Sequence, residues 1–204
     1  ALIGTGKQAI TQLAAVAAVR KLRRVRIFSP DAERRAAFVR RVRQELDLPA
    51  QEVTSVEAAV KDASILTLVT RARTPFLTSA QVTRGAHVNA VGAITPERME
   101  FEPALIDRAS ILAADSVPQV RNLSREFQLA FGSDEAAWQR LTPLSTIVAA
   151  GHRPQRVLVG PRIEAAEHVD QADLVEHLRK PRALLGQEAR ILLVAAPVPK
   201  VDRL

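Results

Sequence analysis

The chain opens Ala1-Leu2-Ile3-Gly4-Thr5-Gly6-Lys7-Gln8-Ala9, and no other stretch restricts its possible folds as strongly. A short apolar run enters a glycine turn, and the turn leads into the helix-like Ala9-Ile10-Thr11-Gln12-Leu13-Ala14-Ala15-Val16. This is the strand–turn–helix order of a dinucleotide-binding βαβ unit, with Gly4, Gly6 and Ala9 at the G-x-G-x-x-G/A positions. Each small residue has a physical reason to be there. Gly4 permits the tight turn, Gly6 lets the backbone approach a pyrophosphate, and Ala9 lets the helix lie close on its strand. The unpaired N–H groups at the helix start, and its positive dipole end, would then face the phosphates.

The chain that follows repeats the alternation. Arg24-Val25-Arg26-Ile27-Phe28 alternates polar and apolar residues and predicts a second strand, and the apolar spacing of Ala36, Phe38, Val39, Val42 and Leu46 predicts a helix over 32–46. A weak third strand is expected over 51–54, a short helix capped by Ser55 after it, and a buried parallel strand over 63–70. A fifth strand is expected over 86–93, a helix interrupted near Pro103 over 97–109, a sixth strand over 110–115 and one amphipathic helix over 116–131. Strands alternating with helices predict an α/β fold: a doubly wound, mostly parallel Rossmann-type sheet with helices on both faces. In such a sheet ligands bind beyond the carboxyl ends of the strands, the edge shared by Gly4–Gly6 and Thr70.

The end of the second strand is where a dinucleotide fold selects its cofactor. Ser29 sits at the tip, and Arg34 and Arg35 follow one helical turn later, which favours the 2′-phosphate of NADP over the ribose hydroxyls of NAD. Asp31 is an alternative acidic ligand, but beyond Pro30 it is better placed to cap the next helix.

Composition removes other classes. There are no cysteines, so disulfide frameworks and thiolate metal sites are excluded, and His87, His152, His168 and His177 show no metal-ligand spacing. The formal net charge is +7, yet the arginines are mixed with acidic residues and aromatics are only 3% of the chain. Without stacking platforms or a recognition motif, solvated helix faces explain the charge better than nucleic acid does. No apolar run approaches the ~20 residues that span a bilayer, no signal peptide is visible, and a cytoplasmic location is the default expectation. Only Ala1-Leu2-Ile3 precede Gly4, and the chain is expected to be a fragment beginning inside a strand.

Several motifs in order resemble the ornithine cyclodeaminase/mu-crystallin family. Gly4-Thr5-Gly6-Lys7-Gln8-Ala9 is similar to the family's G-x-G-x-Q-A, and Gly85-Ala86-His87-Val88-Asn89-Ala90-Val91-Gly92 to its G-A-H-[VI]-N-A-V-G. Val56-Glu57-Ala58-Ala59-Val60, Thr70, Thr74-Pro75-Phe76-Leu77, Glu100 and Asp115 follow the same pattern, and the resemblance covers residues 1–151. It implies an NAD(P)-binding Rossmann domain for 1–151 that exchanges hydride at the C–N bond of an amino acid or cyclic imine. The partners it implies are that small-molecule substrate and, for the full-length protein, a second copy in a homodimer; neither nucleic acid nor a membrane is expected. Gly4, Thr5, Gly6, Lys7 and Gln8 would meet the pyrophosphate, Ser29 the adenosine ribose, Thr70 the ribose–nicotinamide side, and Val91 and Gly92 the nicotinamide edge.

The pattern also departs from the family. Its N-terminal substrate and dimer segment is expected to be missing from this chain, so no catalytic residue is assigned and the chain alone is expected to be inactive. Where cyclodeaminases carry a proton-transferring aspartate, this chain has Ile94, which argues for a ketimine reductase or amino-acid dehydrogenase. A non-catalytic NADPH-binding protein like mu-crystallin, or an ornithine cyclodeaminase proper, stays as an alternative. Residues 152–204 lose the resemblance and read as an atypical tail, foreign to the family through a change of reading frame, with a helix at 172–178 and a strand or helix at 189–194. Ser124-Arg125-Glu126 resembles a family S-R-E, and Glu126 is expected to be an exposed helix charge. Trp138 with Leu141 and Leu144 is expected to pack, His87 to be structural, and Lys7 either to contact phosphate or to be solvated.

Overall fold

The computed structural model describes residues 1–92, 95–149 and 193–195. Of the tail only 193–195 fall within it; the 172–178 helix and Ile94 both lie outside the described residues. The sheet is built from β1 (Leu2–Ile3), β2 (Val25–Phe28), β3 (Ala50–Glu52), β4 (Ile65–Leu68), β5 (His87–Ala90), β6 (Leu112–Ala114), β7 (Leu141–Pro143) and β8 (Leu193–Ala195). Their order is β3-β2-β1-β4-β5-β8-β6-β7, parallel except that β8 runs antiparallel between β5 and β6. The sequence-predicted doubly wound, mostly parallel sheet is therefore the observed one.

The chain steps outward from β1 to β3 and then returns to place β4 on the other side of β1. This reversal opens a crevice at the carboxyl ends of β1 and β4, the switch point of such sheets. Alternation within single strands feeds two cores. Leu2 joins Val25, Ile27, Phe38, Val39 and Val42 on one side, while its neighbour Ile3 joins Leu66, Leu68, Val88, Phe101 and Phe127 in the other cluster.

Helix α1 (Ala9–Val19) buries Ala9, Ile10 and Leu13, and α2 (Ala32–Leu46) buries Phe38, Val39 and Val42. Each of those α2 side chains contributes about 1.5–3 kcal/mol by leaving water. The bounds of α2 are set at both ends. The Asp31 carboxylate accepts from Arg34 N–H at 3.0 Å, and Asp47 takes a left-handed φ of 50° that ends the helix. The short α3 (Val56–Val60) is capped by Ser55 in the same way.

Two helices depart from expectation. The helix predicted over 97–109 is only α4 (Ala104–Asp107), because Phe101 is needed in extended form: it bridges to Leu77, and Phe76 and Leu77 N–H donate to the Glu100 carbonyl. The helix predicted over 116–131 is two, α5 (Val117–Leu123) and α6 (Arg125–Phe131), broken at Ser124, whose ψ of 109° is extended. Beyond them, α7 (Glu135–Trp138) precedes β7, and α8 (Leu144–Ala149) follows it. Trp138 packs on Phe127 and Phe131 with ring centroids 6.4 and 5.1 Å away, and Leu141 is buried with them, whereas Leu144 is not among the buried residues. Among the described residues no helix is long and apolar enough to cross a membrane.

Candidate functional site

The turn after β1 is held from beneath. Gly4 N–H donates to Phe28 O at 2.9 Å, and Gly4 has φ of +108°. A Cβ there would lie 2.5 Å from Val69 O and 3.2 Å from Thr70 Cγ2, so glycine is required by both conformation and space. Gly6 is the opposite case: a Cβ would meet nothing within 4 Å, and Gly6, Lys7 and Gln8 are exposed. Ala9 is fully buried where α1 meets the sheet.

The start of α1 is left electrically open. Its N-cap, Gln8, makes no side-chain capping bond, and its first turn carries no acidic residue, whereas α2, α3, α5 and α7 are capped by Asp31, Ser55, Ser116 and Asp134. Among the described residues no acceptor meets the N–H groups of Thr5, Gly6, Lys7 and Gln8. An accessible row of donors at the positive end of an 11-residue helix fits an anionic group such as a pyrophosphate.

At the end of β2, Ser29 is buried and its carbonyl accepts from Arg35 Nη1 at 2.7 Å. Arg35 Nε also meets Glu52 Oε2 at 3.3 Å, so this buried arginine ties the ends of β2 and β3 together and is withdrawn from any ligand. Arg34 is exposed and pairs with Asp31 at 3.2 Å. Asp31 is thus the cap the sequence predicts.

The ends of β4 and β5 meet through a buried carboxylate. Thr70 follows β4, and Val91 and Gly92 follow β5, where Val91 N–H donates to Leu68 O at 2.8 Å. Glu100 is fully buried between them. Its Oε1 accepts from Thr70 N–H at 2.6 Å and from the Thr70 hydroxyl at 2.7 Å, and its Oε2 accepts from Gly92 N–H at 2.8 Å. A Cβ on Gly92 would fall 2.2 Å from Thr70 O and 2.5 Å from Glu100 Oε1, so here the glycine serves packing against Thr70.

Glu126 is a correction. Far from being an exposed helix charge, it has no exposed surface; its Oε1 accepts from Glu100 N–H at 2.9 Å and its Oε2 from the Ser124 hydroxyl at 2.9 Å. Among the described residues no cation pairs with either carboxylate. Burial, and less so the neighbouring Glu126, push the Glu100 carboxyl up to about 7 against the pull of its hydrogen bonds, and burial also raises Glu126.

His87 is half-buried and bonded to Asn89 Oδ1 at 2.7 Å, and burial lowers its pKa. It lies in β5, and its bond within the strand suits the structural role expected of it. Among the described residues no group of acidic or histidine side chains could hold a metal ion. Of the sequence-selected residues, Gly4, Thr70 and Gly92 are in mutual packing, with Thr5, Gly6, Lys7, Gln8, Ser29 and Val91 on the same strand ends; Arg34 stands apart, engaged with Asp31.

Comparison with known proteins places this edge in context. The sequence profile of the Ornithine cyclodeaminase/mu-crystallin family matches residues 1–146. A Δ(1)-pyrroline-2-carboxylate reductase of Bacillus cereus is 34% identical over 115 residues, covering 56% of this chain and 35% of the reductase. Among the solved structures that share the fold are two reductases. The Δ(1)-pyrroline-2-carboxylate reductase of Thermococcus litoralis in complex with NADH and L-proline has a TM-score of 0.67 at 25% identity, covering 74% of this chain and 46% of its own. The iminosuccinate reductase of Paracoccus denitrificans in complex with NAD+ has a TM-score of 0.66 at 26% identity, covering 76% and 48%. The chain thus spans half or less of the length of the relatives it matches.

Proposed function

Because the chain belongs to the ornithine cyclodeaminase/mu-crystallin family, we propose that it binds a nicotinamide dinucleotide at the switch-point edge and serves hydride transfer at a C–N bond. The substrate is an amino acid or a cyclic imine, as for a ketimine reductase or an amino-acid dehydrogenase. A homodimer of the full-length protein belongs to the same proposal.

The observation that carries this reading is the uncapped, acid-free start of α1, led into by a turn whose Gly4 packs on Thr70, which packs in turn on Gly92. Thr5, Gly6, Lys7 and Gln8 offer their N–H groups to the pyrophosphate, and Gly6 leaves the approach open. The cofactor, when bound, gives or takes the hydride. Thr70 holds the ribose–nicotinamide side. Val91 and Gly92 form a buried wall that excludes water and carries no side-chain proton. Ile94 has no proton to exchange, which supports hydride transfer over ring-closing deamination.

For the cofactor's second phosphate we propose NADP over NAD. Ser29 brings no carboxylate to the ribose, Asp31 is committed to Arg34, and the Arg34 side chain, largely exposed and held only by that surface pair, would have to turn from Asp31 to meet the 2′-phosphate. Calorimetric titration of the full chain with NADPH and NADH, wild type and Gly6→Val, tests both levels. Binding of a cofactor by the wild type and its loss in Gly6→Val is expected. No binding of either cofactor at millimolar concentration sinks the dinucleotide reading, and equal affinities sink the NADP preference.

A further inference from the structure

We propose that Glu100, fixed by Glu126, is a positioning residue for the nicotinamide half of the cofactor site: its ionised carboxylate joins Thr70 to Gly92 and turns the Thr70 hydroxyl into an acceptor toward the ligand. The inference rests on the dinucleotide reading above and adds to it two side chains that lie behind the site.

The geometry is that of a buried acceptor meeting three donors. Thr70 N–H and Oγ–H converge on Oε1, and Gly92 N–H reaches Oε2. With its proton committed to Glu100, Thr70 Oγ1 accepts from Ala72 N–H at 3.1 Å and keeps its remaining lone pair for a ligand. Protonating Glu100 reverses the one bond that can reverse. The carboxyl O–H then donates to Thr70 Oγ1, and the threonine presents a donor instead of an acceptor.

Glu126 anchors the backbone from which the Glu100 carboxylate projects, since it accepts from the backbone N–H of that residue. The charged surroundings are sparse. Glu126 on α6 acts on the Glu100 carboxyl, while among the described residues the β4 and β5 ends turn to it only the hydroxyl and N–H groups named above. Burial places its titration near neutrality, at about 7, so the two hydrogen-bond polarities exchange within an ordinary pH range.

NADH titrations of the full chain between pH 6 and 8.5 test this, with ADP at pH 8 as a probe of the adenosine and diphosphate half alone. Wild type is expected to bind NADH about tenfold more weakly at pH 6 than at pH 8, the fraction of Glu100 left ionised below its midpoint. Glu100→Gln has one acceptor oxygen for three donors and sets an amide N–H against Gly92 N–H. It should lose at least tenfold in NADH affinity and its pH dependence, with ADP affinity kept within about twofold. Glu126→Gln keeps an oxygen for Glu100 N–H and a donor for Ser124, so it folds, and by removing a like charge it should move the NADH midpoint to lower pH. A flat wild-type profile, an unmoved midpoint in Glu126→Gln, or equal losses of ADP and NADH in Glu100→Gln overturns the proposal. Failure of wild type to bind either ligand overturns the dinucleotide reading and this inference together.

Discussion

Gly92 and Gly6 sit in the same site for opposite physical reasons, and exchanging each for alanine separates them. A Cβ on Gly92 would lie 2.2 Å from Thr70 O, 2.4 Å from Thr70 N and 2.5 Å from Glu100 Oε1. Two of those atoms are backbone, so β4 and β5 must move apart at their ends, and overpacking of this kind costs about 1–3 kcal/mol. The same movement lengthens the Gly92 N–H bond to the Glu100 carboxylate, a charged hydrogen bond contributing about 1.5–3 kcal/mol. The two losses share one displacement and do not add in full, so about 3 kcal/mol is expected. Gly6→Ala meets nothing within 4 Å, and Gly6 is not among the positive-φ glycines, so reduced freedom of the unfolded chain should leave stability unchanged or raise it by up to about 1 kcal/mol. The assay is urea unfolding followed by fluorescence of Trp138, the single tryptophan, which lies in a buried aromatic cluster. For a domain of this size 3 kcal/mol corresponds to a fall in Tm of roughly 6–12 °C. A Gly92→Ala protein within about 0.5 kcal/mol of wild type at unchanged m-value, or a Gly6→Ala protein destabilised as much as Gly92→Ala, refutes the reasoning.

Three further outcomes are expected. The raised Glu100 pKa means that the native state holds this proton more tightly than the unfolded chain; its contribution is complete below about 4.5 and is lost as pH rises toward 7, about 3 kcal/mol in all, and unfolding free energies of wild type minus Glu126→Gln across pH 4–8 should show a smaller loss in the variant. Arg35→Met removes the bond to Ser29 O and the contact with Glu52 and should cost about 1–3 kcal/mol, whereas Arg34→Ala, losing one exposed ion pair, should change stability by less than about 0.5 kcal/mol and weaken NADPH more than NADH in calorimetry. Trp138→Ala empties a packed site beside Phe127 and Phe131 and frees Gly132 O, so circular dichroism should report a loss of about 3–5 kcal/mol.

Local chemistry made much of this fold readable. Asp31 and the spacing of Phe38, Val39 and Val42 place α2 without any tertiary information, and the Gly4–Gly6 turn places the ligand edge. What failed was decided over distance. Ser124-Arg125-Glu126 has the polarity of a helix surface, and nothing near it announces that a backbone N–H 26 residues earlier needs its carboxylate. The 97–109 stretch has helix-forming composition, but Leu77 claims Phe101 as an extended partner, and that pairing overrides propensity. Glu100 was visible only as one residue in a family order; its three donors come from strand ends that the fold alone brings together.

The paired carboxylates also constrain how such a chain can diverge. Replacing Glu126 by an apolar residue strands Glu100 N–H without an acceptor, and replacing Glu100 by an amide opposes Gly92 N–H with another donor. Either step alone passes through a less stable protein, and an added Cβ at residue 92 collides with Glu100 from the other side. Apart from Glu126→Gln, which keeps both hydrogen bonds, changes at positions 92, 100 and 126 should therefore accompany one another along a lineage, although these positions lie far apart in the gene.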